Sequence, residues 1–408
     1  MSETKSEERI DQGQELKGLP ASVKLVSLLL NRLSHGALQV SLPDGRVLEY
    51  GTPTRDGAAV IKVQNMGFFR RILRHGSMGF AEAYMDGDWT TPDLAKLLTM
   101  LNRNITHIAE SIDRNKFTNL INRLIHVLRP NTRAGSKRNI HAHYDLGNEF
   151  YSLWLDATMT YSSALFRDSQ QSLREAQNAK YRALADSTGI GPNDHVLEIG
   201  CGWGGFAEFA AREIGCKVTG ITISNEQLAY ARNRIAMAGL TDKAEFHFRD
   251  YRDVTEQYDK IVSIEMFEAV GESYWPTYFG QVKKLLKPGG RAGLQIITIA
   301  NERFAAYRKK ADFIQRYIFP GGMLPSPERL DAEFARAGLQ LAEREDFALD
   351  YARTLAEWHD KFLKVWPEVE ALGFDHRFKQ MWRYYLAYCE AGFRTASIDV
   401  SHFTLKHA

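Results

Sequence analysis

The stretch "VLEIGCGWGG", residues 196–205, decides the fold of this chain. A short apolar run carries Glu198 and then breaks into a turn with Gly200, Gly202 and Gly204. Glycine lets the backbone turn sharply and approach a ligand closely, and the N-terminus of the following helix points into the same space. The stretch therefore predicts a strand, a ligand-binding turn and a helix.

The same order of strand, turn and helix repeats after residue 193. Strands are predicted at 195–200, 217–223, 244–250, 260–264 and 291–299, and helices at 206–214, 225–239 and 278–290. This alternation predicts an α/β fold with a doubly wound parallel sheet. Ligands of such sheets bind beyond the carboxyl ends of the strands.

Two acids stand where the fourth predicted strand should end. In "YDKIVSIEMFEAVGES", residues 258–273, the β-branched run is followed by Glu265 and Glu268. A buried parallel strand is otherwise almost continuously apolar. We therefore expect both acids at the ligand edge of the sheet, with Glu268 in the site and Glu265 facing the cofactor or solvent.

Length and composition predict a globular protein with two domains. The 408 residues exceed the limit of roughly 250–300 residues for a single core. A hydrophobic content of 44% with 25% charged residues is ordinary for a soluble chain. Three cysteines argue against a disulfide framework, and no signal peptide or membrane-spanning run is indicated. We expect a cytoplasmic protein.

Positive charge is concentrated in the first third of the chain. Residues 1–140 carry 20 Lys and Arg against 14 Asp and Glu, and 103–138 carry eight against two. Residues 117–128 place apolar side chains on one helical face, which fits a core-facing helix or a membrane-surface helix. The charge favours an anionic lipid surface, and the lack of interleaved aromatic residues argues against nucleic acid.

Residues 129–139 are rich in Pro, Gly, Ser and charge, as linkers are. We predict a smaller α+β domain at 1–136, with a hairpin at 36–51 and a helix at 92–103. A larger domain is predicted at 137–408.

A dinucleotide fingerprint, G-x-G-x-x-G, is followed by an acid about 20 residues later, whereas here the acid Glu198 precedes the first glycine by two residues. The spacing of the glycine motif resembles the first motif of class I S-adenosylmethionine (SAM) methyltransferases. That resemblance implies cofactor contacts from this turn and from the ends of the next two strands. The further residues are Cys201 in the turn, Thr222, Ile223 and Gln227 in "GITISNEQ", and Asp250, Tyr251 and Arg252 in "FRDYRD".

A set of longer motifs resembles the cyclopropane-fatty-acyl-phospholipid synthase family, which includes the mycolic acid cyclopropane synthases. They are "HAHYDLGNEFYSLWLDATMTYSSALF" (141–166), "EIGCGWGG", "SIEMFEAVGE", "LQIITIANERF", "YIFPGGMLPS" and "DYARTLAEW". The resemblance is specific from about residue 137 to the end and weaker before it. It implies a seven-stranded methyltransferase sheet, SAM as methyl donor and an N-terminal lipid-binding domain.

The resemblance also implies a reaction. The SAM methyl group goes to a cis double bond of a phospholipid acyl chain, and loss of a proton from that methyl closes a cyclopropane ring. In this family a bound bicarbonate ion accepts the proton. The residues implied to hold it are Ile264, Glu268, Gln295, Tyr351 and the backbone of Ser163. Tyr161, Ser162 and His143 are implied on the cofactor side.

This chain departs from the family at two of these positions. Many members have Cys where Ser163 stands, which matters little for a backbone contact. Many have His where Gln295 stands, and an amide N–H can donate to bicarbonate as a neutral His would. An ionised Glu268 would then accept the bicarbonate O–H.

A bicarbonate beside a carboxylate needs a compensating positive charge, because two close anions repel. The SAM sulfonium and the later carbocation supply one. Aromatic faces such as Tyr161, Phe267 and Tyr307 are expected to stabilise the carbocation.

Cys389 aligns with a cysteine of the family considered as an active residue. Its apolar neighbours also fit a simple core position. His141 and His143 have no accompanying ligand set, so no metal is expected.

Other functions remain open at this point. Proton loss elsewhere on the acyl chain would give a methyl-branched or methylene fatty acid. The same fold could methylate a small molecule, or the protein could bind lipid or SAM without turnover. The expected partners are unsaturated phospholipid and the anionic inner-membrane surface, contacted peripherally, and a homodimer is left open.

Overall fold

The computed structural model describes residues 16–104 and 146–408. They belong to two compact units, Met1–Thr118 and Asn119–Ala408. Four predicted features fall outside the described residues. They are the domain boundary between 136 and 137, the linker at 129–139, the apolar stripe at 117–128 and the position of His143.

The first unit is a small α+β structure. Its elements are α1 (Ala21–Leu30), β1 (Ala37–Ser41), β2 (Val47–Gly51), β3 (Ala59–Val63), α2 (Gly67–Met85), β4 (Trp89–Thr90) and α3 (Leu94–Arg103). The strands form one sheet in the order β2-β1-β3-β4. β1 and β2 pair antiparallel, which confirms the predicted hairpin. α3 begins at Leu94, two residues later than predicted. Asp93 caps it, since its carboxylate accepts the Lys96 N–H at 2.8 Å.

The second unit begins its described part with α4 (Asn148–Trp154) and α5 (Leu173–Thr188). The following elements are β5 (His195–Ile199), α6 (Gly205–Phe209), β6 (Lys217–Thr222), α7 (Asn225–Met237), β7 (Ala244–Phe248), β8 (Tyr258–Ile264), α8 (Trp275–Leu285) and β9 (Leu286–Ile299). The last are α9 (Asn301–Tyr307), α10 (Pro327–Ala337), β10 (Leu339–Asp346), α11 (Ala348–Lys364), α12 (Trp366–Ala371), α13 (His376–Arg394) and β11 (Ile398–His407).

The strands of the second unit form a seven-stranded sheet in the order β10-β11-β9-β8-β5-β6-β7. Neighbours among β5 to β9 pair in parallel, and β11 runs antiparallel between β9 and β10. The predicted doubly wound sheet is confirmed, with its seventh strand inserted antiparallel near one edge. Since β5, β6, β7 and β8 are parallel, the loops that follow them leave the same edge.

Two predicted boundaries differ from the structure. The helix predicted to end at 290 stops at Leu285, and β9 begins at Leu286 and contains the Pro-Gly-Gly turn. The helix predicted at 206–214 is a short α6 followed by a π-helical turn, Ala210–Ile214, which Gly215 ends with φ 85°.

Phe267 anchors the loop after β8 to the core. Its ring centroid lies 5.5 Å from Trp275, 5.1 Å from Tyr278 and 4.9 Å from Phe279, and the side chain is 1% exposed. The expectation that Phe267 faces a carbocation is therefore wrong, because its ring is enclosed by the core under the sheet edge. Among the described residues, no helix is both long and apolar enough to cross a membrane.

Candidate active site

The glycine turn after β5 has the backbone conformation that its sequence predicts. Gly200, Gly202 and Gly204 take φ of 83°, 51° and 82°, in the left-handed region that favours glycine. A Cβ on Gly200 would stand 2.7 Å from the Met266 side chain, so the turn packs closely against the loop after β8. A Cβ on Gly202 would meet nothing within 4 Å. The open face of the turn is therefore at Gly202.

Glu198 lies beneath this turn and is only 3% exposed. Its Oε2 atom has no hydrogen-bond partner among the described residues. Burial raises the pKa of this carboxyl well above its usual range. Cys201, 4% exposed, is buried beside it. An enclosed carboxyl oxygen without a partner, next to an open glycine turn, suits a ligand that brings hydrogen-bond donors, as the ammonium and ribose of SAM do.

The residues predicted at the end of β6 come together in one small network. Thr222 donates through its hydroxyl to Gln227 Oε1 at 2.9 Å, and both side chains are buried. Ser224 caps α7 and accepts the Gln227 N–H at 3.3 Å. Ile223 is half-buried between them. The network fixes the Gln227 amide at the ligand edge.

The residues predicted at the end of β7 are bound to each other. Asp250 caps a short turn, Tyr251–Asp253, and forms a bidentate pair with Arg252, with oxygen to nitrogen distances of 2.6 and 2.8 Å. Burial raises the pKa of Tyr251 to about 12. Asp250 is therefore held by Arg252, and the Arg252 pairing restricts how this carboxylate can serve a ribose or an adenine.

Glu265 is the most completely bonded carboxylate of the site. Its Oε1 accepts the Ser163 backbone N–H at 2.8 Å and the Gln295 side-chain N–H at 2.6 Å. Its Oε2 accepts the Tyr351 hydroxyl at 2.6 Å. We call Ser163, Gln295 and Tyr351 the carboxylate cradle. Burial raises the pKa of Glu265, and the hydrogen bonds from the cradle and the charge of Lys180 oppose that rise.

The cradle is supported by buried polar groups. Gln295 Oε1 lies 3.1 Å from Nε2 of His402, and Gln295 Nε2 also donates to the Ser162 hydroxyl at 3.2 Å. Burial lowers the pKa of His402 to about 3, so its ring is neutral and donates from Nε2 to the Gln295 carbonyl. Lys180 donates to Ser162 Oγ at 2.9 Å, and burial lowers its pKa to about 7. These contacts point the Gln295 amide N–H at Glu265.

Glu268 lies apart from the cradle. Its Oε1 accepts the Ile297 backbone N–H at 2.6 Å, and its Oε2 has no partner among the described residues. Burial, and then the nearby charge of Glu265, raise the pKa of Glu268 to about 8. This carboxyl is therefore largely protonated at neutral pH.

The structure thus groups the predicted residues differently from the expectation. Ser163, Gln295 and Tyr351 meet at Glu265, whereas they were expected around an ion held by Glu268. Ile264 ends β8 and pairs with Gln295 of β9, which brings that amide to the strand end. The difference arises because Glu265 takes φ 48°, a left-handed conformation rare for a residue other than glycine. That backbone turns its side chain inward instead of toward the cofactor or solvent.

An aromatic wall stands beside the cradle. Tyr161 packs against Tyr151, Trp154 and Trp358 at centroid distances of 5.3, 5.6 and 5.4 Å. Its hydroxyl lies 2.7 Å from that of Tyr385. Tyr307 is held differently, since its hydroxyl is bonded by Gln315 and by the Leu324 N–H. Its role as a cation-stabilising face stays a prediction.

Cys389 makes no described hydrogen bond to the cradle. Burial raises the pKa of its thiol, and the neighbouring carboxylates Asp312 and Glu265 raise it further. A reactive cysteine needs the opposite shift, because the thiolate is the nucleophile. The environment therefore suits a packed thiol.

Sequence reasoning missed Lys180 and His402 as members of the site, and it placed Glu265 at the ligand edge without its partners. Lys180 carries a signal that could have found it, because it falls on the face of α5 that also carries the buried residues Ala176, Tyr181 and Leu184. A charged residue at a core position of an amphipathic helix indicates a buried polar partner. His402 gives no comparable signal, since its contact with Gln295 depends on the pairing of β11 with β9.

Comparisons with known proteins agree on one family. A family model described as mycolic acid cyclopropane synthetase matches residues 131–403. The tuberculostearic acid methyltransferase UfaA1 of Mycobacterium tuberculosis is 38% identical over 405 residues, covering 94% of this chain and 91% of the relative. The cyclopropane-fatty-acyl-phospholipid synthase of Escherichia coli K12 is 34% identical over 388 residues, covering 89% of this chain and 94% of the relative.

A solved structure supports the fold. The mycolic acid cyclopropane synthase CmaA1, complexed with SAH and CTAB, superposes with a TM-score of 0.62 at 30% identity, over 66% of this chain and 97% of the other. The seven-stranded unit is a class I SAM methyltransferase fold, as the glycine motif predicted.

Proposed function

This chain belongs to the mycolic acid cyclopropane synthetase family of SAM-dependent methyltransferases, and from that premise we propose its reaction. The enzyme transfers the SAM methyl group to a cis double bond of an unsaturated phospholipid acyl chain. Removal of a proton from the new methyl group then closes a cyclopropane ring.

One observation carries this proposal. A buried, hydrogen-bonded carboxylate, Glu265, and a second buried carboxyl, Glu268, lie in the loop that packs onto the SAM-type glycine turn. A methyl transfer to an alkene leaves a cation, which needs a proton acceptor close to the transferred methyl. The bicarbonate ion that the resemblance implies, or a carboxylate of the chain, can supply that acceptor.

The residues around the glycine turn fit SAM. Gly202 offers open backbone, Glu198 has an enclosed carboxyl oxygen, and Thr222 with Gln227 presents a fixed polar edge. We assign the amino acid part of SAM to Glu198 and the turn, and its ribose to Gln227. When bound, SAM supplies an electrophilic methyl group on a positively charged sulfur.

The aromatic wall serves the cationic stage of the reaction. A ring face attracts a cation without sharing a bond with it, and each such contact contributes roughly 0.5–2 kcal/mol. The Trp358 ring lies 5.4 Å from Tyr161 and 6.2 Å from Tyr351, whose hydroxyl bonds Glu265, so a carbocation on an acyl chain beside these rings would lie near the Glu265 carboxylate.

We assign the domain 1–136 to lipid binding at the cytoplasmic face of the inner membrane. The excess of basic residues at 103–138 supports this, since each Lys or Arg near an anionic bilayer contributes about 1 kcal/mol. Vesicle binding should therefore weaken as salt rises and as the anionic lipid fraction falls. Binding that ignores both variables would contradict this assignment.

A second product has support of its own. The relative UfaA1, 38% identical over nearly the whole chain, is named a tuberculostearic acid methyltransferase. If the proton leaves from a chain carbon instead of from the new methyl, the product is a branched olefin that a reductase can saturate.

The experiment that tests the function uses the purified full chain, SAM and vesicles of cis-unsaturated phosphatidylglycerol or phosphatidylethanolamine. The masses of the released acyl chains are measured by mass spectrometry before and after mild hydrogenation. A gain of one CH₂ that takes up no hydrogen means a ring, and a gain that takes up hydrogen means a methylene or methyl-olefin product. No gain with any unsaturated lipid would contradict the proposed function.

A further inference from the structure

We propose that the carboxylate of Glu265 is the internal base of this enzyme and occupies the place where a bicarbonate ion would otherwise bind. This inference rests on the proposed function. It assigns the proton-accepting step to an atom of the chain, Glu265 Oε2, and it removes bicarbonate as a requirement.

The hydrogen-bond donors carry the argument. Sequence resemblance assigned the Ser163 backbone, Gln295 and Tyr351 to a bicarbonate ion. All three donate to the Glu265 carboxylate, at 2.8, 2.6 and 2.6 Å. A carboxylate resembles a bicarbonate ion in being a planar anion with two acceptor oxygens on one carbon. The cradle is therefore already filled by an anion similar to the one it was expected to bind.

A bicarbonate ion does not fit in addition to Glu265. It would need donors that are already engaged, and it would add a negative charge beside a buried carboxylate that interacts with Glu268. Like charges in a buried site destabilise each other strongly. The buried Lys180 side chain bonds the Ser162 hydroxyl, and its charge already interacts with Glu265, Asp156 and Glu198.

The contacts that hold the Gln295 side chain orient its amide N–H₂ toward Glu265. The neutral His402 ring donates to Gln295 Oε1, which leaves the amide N–H₂ to donate to Glu265 and to Ser162. An amide in this orientation offers donors only on the Glu265 side, as an acceptor anion requires. Burial raises the pKa of Glu265, which makes it a stronger base than an exposed carboxylate.

The backbone conformation of Glu265 also supports the proposal. Its φ of 48° is costly for a residue that carries a Cβ, and such conformations persist where the surrounding structure holds them. Here the inward turn is what delivers the carboxylate to the cradle. A glycine would take this backbone without strain but would leave the cradle empty.

The step balances without an external base. The alkene π pair forms the new bond to the methyl carbon, whose bond to sulfur breaks with its electron pair left on sulfur. A C–H bond of that methyl then breaks, its electron pair closes the ring onto the cationic carbon, and the proton goes to Glu265 Oε2. Oε2 accepts one cradle bond whereas Oε1 accepts two, so Oε2 is the oxygen assigned to take the proton.

Two substitutions at Glu265 test the proposal, with Glu343→Gln on the exposed edge strand β10 as control. Glu265→Gln keeps the shape and removes the base, and turnover should fall by about 100-fold or more while SAM affinity by calorimetry is retained. Glu265→Gly relieves the backbone and empties the cradle, and added bicarbonate should restore at least ~10-fold of the lost turnover. Wild-type turnover in Glu265→Gln would overturn the proposal, as would equal rescue of Glu265→Gln by bicarbonate.

A binding measurement separates this inference from the proposed function. Carbon-13 NMR of labelled bicarbonate should show line broadening with Glu265→Gly and none with the wild-type protein or Glu343→Gln. Specific broadening by the wild type would overturn the internal base even if cyclopropane forms. If no lipid product forms with any variant, the proposed function fails, and the bicarbonate comparison still decides what fills the cradle.

Discussion

The loops after β5 and after β8 leave the same sheet edge, yet different residue types take the left-handed backbone conformation in each. The first turns on glycines, each with a positive φ that its residue type allows. In the second, the charged residue Glu265 takes a positive φ of 48°. The first loop thereby leaves room for a ligand, and the second fills its own ligand position. Left-handed backbone at the same sheet edge therefore gives an open site where the residue is glycine and an occupied site where it is glutamate.

One substitution tests the glycine turn after β5. Gly200→Ala combines a strained φ of 83° with a Cβ 2.7 Å from Met266, which belongs to the loop after β8. We expect SAM affinity by calorimetry to fall ~10-fold or more, because a left-handed residue alone costs roughly 1–2 kcal/mol. Gly239→Ala is the matched control, since its φ is 68° but its Cβ would meet nothing within 4 Å. Equal SAM affinity in both variants would contradict the packing of the two loops.

Tyr351→Phe tests the hydrogen bonding of the Glu265 carboxylate in the loop after β8. It removes one hydrogen bond that lowers the pKa of Glu265, a bond to a charged group contributing about 1.5–3 kcal/mol. The pKa of Glu265 should rise, so the acid limb of the measured pH–turnover profile should move to higher pH.

Tyr181→Phe is the control for Tyr351→Phe. Tyr181 also loses one buried hydroxyl bond, to Thr160 at 2.5 Å, but it does not contact Glu265. Its pH–turnover profile should keep the wild-type acid limb. A shifted limb in both variants, or in neither, would break the link between the Tyr351 hydroxyl and the base.

Glu268→Gln tests the carboxyl that stays outside the cradle. Its folded pKa of about 8 lies above the ordinary 4.5, so the folded state holds a proton that the unfolded state releases between these values. Stability from this group is full below pH 4.5 and is lost as pH rises to 8, by up to ~1.4 kcal/mol per pH unit. Denaturant unfolding from pH 5 to 8 should show a flatter profile for Glu268→Gln than for wild type. Parallel profiles would mean that Glu268 is ionised in the folded protein.

The smallest effect is expected at Cys389. Its thiol has a raised pKa and no cradle contact, so Cys389→Ala should change turnover by less than about threefold, the range of a modest packing change. A loss of turnover as large as that of Glu265→Gln would mean that Cys389 has a catalytic role.

The fold could be predicted from the sequence because its signals are local. Glycine spacing after residue 198 and alternating strands and helices specify the doubly wound sheet, and β5 to β8 lie within a few residues of their predicted bounds. The predicted cofactor positions stay predictions, although Thr222 and Gln227 come together at the edge of the sheet.

The site could be predicted only as a set of residue types. Ser163, Gln295 and Tyr351 are neighbours as predicted, but they meet at the Glu265 carboxylate and not at a bicarbonate ion held together with Glu268. A carboxylate three residues further along is indistinguishable by type, and only the φ of Glu265 decides which one turns inward. Lys180 depends on the burial of one face of its helix. His402 depends on the pairing of β11 with β9, which brings it to Gln295 across 107 residues of chain.

The bicarbonate dependence of the wild-type enzyme distinguishes an internal base from a bound bicarbonate ion. Turnover of SAM with unsaturated phospholipid vesicles is measured in buffer stripped of carbon dioxide, and again after bicarbonate is added back. The internal base predicts the same rate in both, because Glu265 is part of the chain. A rate that collapses in the stripped buffer and recovers with bicarbonate would contradict the account.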